Sequence, residues 1–562
     1  MRKKEKNILL LSFFMIISFL GIMLIYIANN HQLPMGQDSV FHMARVLGLN
    51  NVFQSPVNFN ASGHQGNILN VMYPWQTLYP AYLLYWLTGN LAVAMYIFYY
   101  LVTLSTLLIA FYTMNTIKKQ YFPSILFALI YTFSSYRLTN LVSRTDIGEY
   151  LAMTFLPLVL LGCYKIFCND YKKYYILSIG MTLLACSHML SLVMSTVFIA
   201  IGTVCYLVLG KNRNQWKARI FALVKAALLT VLLCAAIFVP MICQVRYQQL
   251  YFPGKIPFSP SKLQELLMNA VLSKLTTCTV GSTILAGIIL VIFCIKKING
   301  FEKLLYFLGV IVFICTSTII PWSELNNTPI STIQFIFRFN SYITLFIAYP
   351  FAAALAYVLR NRKLMTTAGI SLLVLIINGS SIIEVYKEQA PPNMMHYTTS
   401  EAVRISYSLM HYDYTSNETA ANYALLEERP YFENGERVNV TEKFEANKLT
   451  FTANFKNTCD VITPILRFEG QVVYINGRKA NGQISKYGTL EIKLPAGTSK
   501  VMVTSPYSLT DRLAQLISLL SLCLLLYGIL SRRYREKRKS DIFQSNFRNT
   551  ESKFEKFNRA IK

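Results

Sequence analysis

Acidic residues are scarce in this 562-residue chain: 27 Asp and Glu stand against 53 Lys and Arg, a formal net charge of +26. Such an excess of cation suits nucleic-acid binding, but its distribution excludes that class. The basic residues fall in short clusters between apolar runs: Lys118 and Lys119, Lys172 and Lys173, "KNRNQWKAR" at 211–219, Lys296 and Lys297, "RNRK" at 360–363 and "RRYREKRK" at 532–539. Metal and disulfide patterns are missing too. The 11 cysteines form no CxxC pair and lie almost all in or beside apolar runs, Cys459 being clearly outside them. Neither a zinc site nor a disulfide framework is encoded, and the thiols read as small packing residues. No internal repeat of useful length is visible. No small-residue cleavage site follows the first apolar run, which therefore reads as a retained span rather than a signal peptide.

What is present is hydrophobic length: 54% of the chain is apolar and only 14% charged. "ILLLSFFMIISFLGIMLIYIA" at 8–28 carries no charge and is long enough to cross ~30 Å of hydrocarbon. The pattern repeats, predicting about twelve spans near 8–28, 92–115, 121–137, 150–167, 174–190, 191–209, 221–243, 280–295, 304–320, 341–359, 364–383 and 513–530. The basic clusters fall at alternate span ends, as the positive-inside rule requires, which places both termini in the cytoplasm. The predicted fold is a polytopic α-helical membrane protein. Residues 1–383 form a transmembrane domain of eleven spans with a long first outer loop at 29–91. Residues 69–90, broken by Pro74 and Pro80, read as an interfacial or re-entrant helix.

Composition changes sharply at "EVYKEQAPPNMM", and alternating stretches such as "KLTFTANF" and "QVVYINGRKA" follow. These predict a small extracytoplasmic, β-sandwich-like domain at 384–510, with a hairpin turn on Asn476-Gly477. A last span at 511–531 and a basic cytoplasmic tail at 532–562, suited to anionic lipid, complete the chain.

Assigned to sides, the polar groups gather on the outer face. Asp38, His42 and Arg45, at i, i+4 and i+7, share one side of a helix in the first outer loop. Arg137, Arg144, Asp146 and Glu149 precede or open the fourth span. His188 ends the fifth. Glu324, Gln334 and Arg338 precede the tenth. Each has a plain structural alternative: Asp38 as an N-cap, Asp146 and Glu149 as a capping box, His42 as packing, His188 as a backbone-bonded histidine, Arg45 and Arg338 as interfacial anchors. Convergence of separate loops on one face points instead to a site, and ionisable groups at membrane depth are usually functional.

"GQDSVFHMARVLGL", "MYPWQTLYPAYLLYWLTG", "SRTDIGEYLAMTFLPLVLLGCY", "LLACSHMLSL" and "STIQFIFRF", in that order, resemble bacterial membrane proteins carrying a 6-pyruvoyl-tetrahydropterin synthase-related domain. Those resemble the YfhO-like proteins and the GT-C superfamily of membrane glycosyltransferases. The resemblance covers about residues 30–345, and "LPAGTSKVMVTSPYS" is similar to the C-terminal part of YfhO-like proteins. It implies an extracytoplasmic transferase that moves a sugar from a polyprenyl-phosphate donor onto a cell-envelope polymer or glycolipid, with inversion. The family's outer-loop acid falls on Asp38, followed by Phe41, His42 and Arg45. The Gln-Phe-x-x-Arg pattern falls on Gln334, Phe335 and Arg338, with Ile336-Phe337 where Pro-Trp is common. Asp38 is the expected catalytic base. His42, Arg45, Arg144, Glu149, His188, Gln334 and Arg338 are expected to hold the sugar and the donor phosphate. No cofactor is certain; the resemblance leaves room for a divalent cation, for which the sequence shows no clear ligand cluster. Two other readings stay open, a transporter or flippase of lipid-linked saccharides and a non-catalytic envelope-assembly protein.

Overall fold

A computed structural model describes residues 3–209, 215–252, 256–387 and 398–560. The start of the 211–219 cluster and the composition break at 388–397 lie outside the described residues. In chain order the N-terminal helices are α1 (Lys3–Ala28), α2 (Ser39–Leu47), α3 (Leu69–Met72), α4 (Tyr79–Thr88), α5 (Leu91–Lys118), α6 (Tyr121–Thr132) and α7 (Ser135–Leu138). Next come α8 (Ile147–Cys168), α9 (Tyr175–Ala185), α10 (Met189–Leu209), α11 (Trp216–Leu233), α12 (Ala235–Tyr247), α13 (Leu263–Leu272), α14 (Ser282–Phe293), α15 (Gly300–Cys315), α16 (Asn340–Val358) and α17 (Lys363–Lys387).

Among the described residues seven helices are long and apolar enough to cross a membrane, or nine if each bent pair counts as one span. The chain is a multi-pass, mostly helical membrane protein. The twelve predicted spans are matched in part. The run at 121–137 bends by 44° between α6 and the following turns, and that at 221–243 breaks by 71° between α11 and α12. Helices α9, α14 and α15 hold 11, 12 and 16 residues, reaching about 17–24 Å at 1.5 Å per residue, short of ~30 Å. Hydropathy counts apolar residues that the backbone uses for turns, such as Cys186 between α9 and α10. Residues 69–90 form only the short α3 and α4, the latter exposing Leu83, Trp86 and Leu87. Helix α16 is the centre of the bundle, buried from Asn340 to Ala354.

The C-terminal part begins with helices, not strands: α18 (Thr399–Ser408), α19 (Asn417–Ala421) and α20 (Tyr423–Glu427). Strands follow as β1 (Tyr431–Glu433), β2 (Glu436–Val438), β3 (Thr441–Glu445), β4 (Lys448–Phe455), β5 (Cys459–Leu466), β6 (Val472–Ile475), β7 (Arg478–Ala480), β8 (Gly482–Ile484), β9 (Thr489–Leu494) and β10 (Gly497–Thr504). They make two five-stranded antiparallel sheets, ordered β2-β1-β5-β9-β8 and β3-β4-β10-β6-β7. Ile475 pairs with Arg478 across Asn476-Gly477, both with positive φ as a two-residue hairpin turn demands. The chain ends in one helix, α21 (Leu509–Ala560), so the expected tail continues the last apolar helix.

The first outer loop and this domain are not separate bodies. Val57, Phe59, Ile68 and Met72 share one hydrophobic core with Phe451 and Val501 of one sheet and Val461 and Leu490 of the other. Phe59 N donates to Ala446 O (2.9 Å), Leu466 N to Gln65 O (2.9 Å) and Ser62 N to Ser406 O (3.0 Å). Helix α18 packs on α2. The domain is thereby fixed over the end of the helical body where α2 begins.

Candidate functional site

Close backbone approach sets the site's frame. A Cβ at Gly36 would collide with the Ser143 carbonyl oxygen, and one at Gly148 with the Tyr73 hydroxyl. With Gly36 in place, Asp38 N donates to Arg144 O (3.0 Å), joining the first outer loop to the turn before α8. Asp38 occupies the N-cap position of α2, yet its side chain makes no capping hydrogen bond. The half-exposed carboxylate faces a cavity instead, with Oδ2 3.9 Å from Arg144 Nη2. Poor solvation there, and then the Asp146 carboxylate, push its pKa up to about 6 against the opposing guanidinium of Arg144.

One turn on, His42 is buried, with Nε2 3.6 Å from Asp146 Oδ1 and Nδ1 3.1 Å from Arg45 Nη1. An arginine N–H can only donate, so Nδ1 accepts and Nε2 carries the proton towards Asp146. Burial pushes the imidazole down to about 4, in keeping with this neutral tautomer. Arg45 does not reach the cavity, which corrects its expected role at a phosphate. The second turn of α2 is buried, and Arg45 Nη2 donates to Tyr73 O (3.1 Å) and Pro74 O (2.6 Å), with the guanidinium 4.0 Å from the Tyr73 ring centroid. It pins the 73–74 backbone.

Arg144 follows a π-helical turn at Thr139–Ser143, a local widening of the helix common at functional sites. Its Nη1 donates to Asn140 Oδ1 (2.7 Å) and Glu149 Oε2 (2.9 Å), and Nη2 to Asp146 Oδ2 (3.0 Å). Asp146 caps α8 by accepting from Glu149 N (3.0 Å). The expected capping box is only half formed, because the Glu149 carboxylate turns away. It is buried, accepts from Tyr136 Oη and Ser341 Oγ (both 2.8 Å), and lies 3.8 Å from Arg338 Nε. Glu149 does not line the cavity, so its expected contact with donor is corrected: it positions the two arginines from behind.

His188 links α9 to α10 and lines the cavity, its Nδ1 2.8 Å from Ser191 Oγ. Burial lowers its pKa. Three 3₁₀ turns lie between Trp322 and Phe339, and between the last two Gln334 adopts φ +62°. Arg338 Nη1 donates to Ile333 O and Gln334 Oε1, both 2.8 Å, while among the described residues its Nη2 makes no hydrogen bond. Phe337, where the related pattern has Trp, stacks on Phe335 at 4.8 Å and carries Arg144 over its ring at 4.9 Å. Of the other sequence candidates, Arg137 is buried over the Tyr150 ring and Glu324 is exposed on a turn; neither lines the cavity.

The cavity measures about 1190 Å³, and Asp38, His42, Arg144, His188, Gln334 and Arg338 all contribute to its wall. So do residues that sequence reasoning passed over: Tyr73, His411, Asp413 and Tyr414. Tyr73 stood inside a quoted motif, and its aromatic ring beside Pro74 was the available signal. An apolar groove of about 340 Å³ between α10, α15 and the 3₁₀ turns adjoins the cavity, sharing Leu190 and Thr332 with it. Among the described residues no three His, Cys, Asp or Glu side chains gather as metal ligands. Asp146, the carboxylate that acts on Asp38, is already paired with Arg144 at 3.0 Å. These residues do not fit a divalent ion.

No known family profile matches the sequence, and no curated protein matches it. Among solved structures the chain is similar to the arabinofuranosyltransferase AftD from mycobacteria, at 12% identity and a TM-score of 0.44. The match covers 88% of this chain and 40% of that one, so the chain spans less than half of that protein's length.

Proposed function

We propose that this chain is an extracytoplasmic glycosyltransferase that moves a sugar from a polyprenyl phosphate onto a cell-envelope polymer or glycolipid. One observation carries the reading: a carboxylate free of capping duty and two arginines face a common cavity that adjoins an apolar groove between helices. The cavity exceeds the roughly 300–1,000 Å³ of a single small-ligand pocket, which suits two reactants. The groove suits the hydrocarbon tail, and the arginines of the adjoining cavity suit the phosphate.

In this reading the acceptor hydroxyl gives its proton to the Asp38 carboxylate as its oxygen bonds to the anomeric carbon. The bond from that carbon to the phosphate oxygen breaks, and polyprenyl phosphate leaves with the electron pair. Arg338, whose Nη2 makes no hydrogen bond among the described residues, balances the charge that develops on the leaving oxygen, and Arg144 supports it. Attack from the side opposite the leaving group inverts the anomeric centre. Purified protein in nanodiscs, supplied with polyprenyl-phosphate sugars and envelope polymers, tests the activity; mass spectrometry of the envelope with and without the protein identifies the decoration. Unchanged envelope polymers and no transfer in vitro would reject it.

Arg338→Lys should lower kcat/KM at least tenfold with unchanged melting, because a point charge cannot reproduce the planar fork that holds Gln334 and phosphate together. Full activity in Arg338→Lys would make the residue a membrane anchor.

The side of the membrane has its own test. Ser485 is buried and bonded to Thr489, whereas Lys479 is exposed beside the β6–β7 turn. Lys479→Cys should react with an impermeant maleimide on intact cells. Labelling only after lysis would put the site in the cytoplasm.

A further inference from the structure

The segment from 409 to 414, between α18 and α19, reaches from the C-terminal domain into the cavity. It is held in place at both ends. Tyr414 N donates to Tyr251 O (2.8 Å), Tyr251 N to Thr415 O (2.6 Å), and Leu250 bridges Ser416. His411 N donates to Ser62 Oγ (3.2 Å). Tyr414 has φ +64°, a conformation that a bulky side chain rarely adopts and that the surrounding pairing must hold.

The chemistry of this segment differs from that of the arginine wall. Tyr412 is 41% exposed, and its ring is braced by Tyr251 at 5.7 Å and Tyr423 at 5.0 Å. A fixed aromatic face with free area suits the C–H face of a sugar ring. Asp413 is half-buried and, when ionised, can only accept hydrogen bonds. His411 Nε2 is enclosed without a partner among the described residues, although enclosed polar atoms are normally satisfied. An unsatisfied imidazole nitrogen in a cavity wall fits a ligand hydroxyl. Glu427 adds a second carboxylate, and the segment contributes no cation to the lining; among the described residues the cations there, Arg144 and Arg338, both lie beside Glu149.

We propose that the 409–414 segment is the acceptor-recognition wall and selects an uncharged glycan end, with Tyr412 stacking on a sugar ring and Asp413 and His411 taking its hydroxyls. The proposal deepens the transferase reading and rests on it. A phosphodiester end would meet Asp413 and Glu427 as like charges.

The test is saturation-transfer NMR on the full-length protein in nanodiscs. Glucose, mannose and arabinose trisaccharides serve as neutral probes, and a glycerol phosphate trimer as the anionic one. At least one trisaccharide should bind, and the anionic trimer at least tenfold more weakly. Asp413→Asn and Tyr412→Ala should each weaken trisaccharide binding about tenfold, and Tyr412→Phe should retain it. If Asp413→Asn melts early, the two Tyr412 variants decide. Preference for the anionic trimer, no binding of any trisaccharide, or undiminished binding in Tyr412→Ala overturns the proposal. Binding of undecaprenyl phosphate to the unaltered protein is measured separately by native mass spectrometry. Its absence rejects the lipid donor, while the glycan measurements still decide the wall.

Discussion

Asp38→Asn should abolish sugar transfer, by about 10²–10⁴-fold for the loss of a positioned base, with no loss of folded protein. Asp38 sits at the N-cap of α2 without accepting a backbone N–H, so removing its charge leaves no helix end unsatisfied. Even Asp38→Ala should lower stability by less than the ~1 kcal/mol of a lost cap. The pH profile carries the sign. With its pKa raised to about 6, Asp38 is ionised and able to take a proton above that pH. Transfer should be flat above it and fall tenfold per unit below it, and the Asn variant should lose this limb. Transfer at the unaltered rate in Asp38→Asn would remove the catalytic assignment and favour transport or assembly.

Glu149→Ala should have the opposite character, a loss of stability of about 3–5 kcal/mol with expression falling accordingly. That is the usual effect of removing one partner from a buried ion pair. Here the carboxylate holds Arg144 at 2.9 Å and accepts from Tyr136 and Ser341, so its loss leaves a buried guanidinium under-compensated. Glu149→Gln keeps those neutral contacts and isolates the charge; it should melt between the other two. The readout is thermal unfolding in detergent, followed by tryptophan fluorescence. A Glu149→Ala protein as stable as the unaltered one would show that Asp146 alone carries Arg144. Two acids in one site thus separate by experiment, one chemical and one structural.

Much of the site was legible because it lies close to apolar runs whose ends are sharp in the sequence. Asp38, Arg144, His188, Gln334 and Arg338 stand at such ends, and the structure brings them to one cavity. Arg45 was misread because helical spacing gives the face of a residue but not what covers it; the 73–74 carbonyls cover this one. Glu149 was assigned to donor because it was near membrane depth, whereas only the three-dimensional pairing shows that it stands behind Arg144. The 409–414 segment gave no signal. It has no periodicity, and its place depends on pairing with residue 251, about 160 positions earlier. The sheets were visible through alternation, but α18 to α20 before them were not, since a short polar helix carries little hydrophobic pattern.

The shared core between the first outer loop and the C-terminal sheets also sets a timetable for biogenesis. Val57 and Phe59 leave the ribosome early, but their partners Phe451 and Val501 follow about 390–450 residues later. At roughly 5–20 residues per second, the loop waits about 20–90 s with its apolar side chains uncovered. During that interval α2 lacks the α18 that packs on it. The cavity is therefore completed only after Glu427, the last residue of its wall, has emerged, so a chain cut short before it carries the membrane body but an incomplete site.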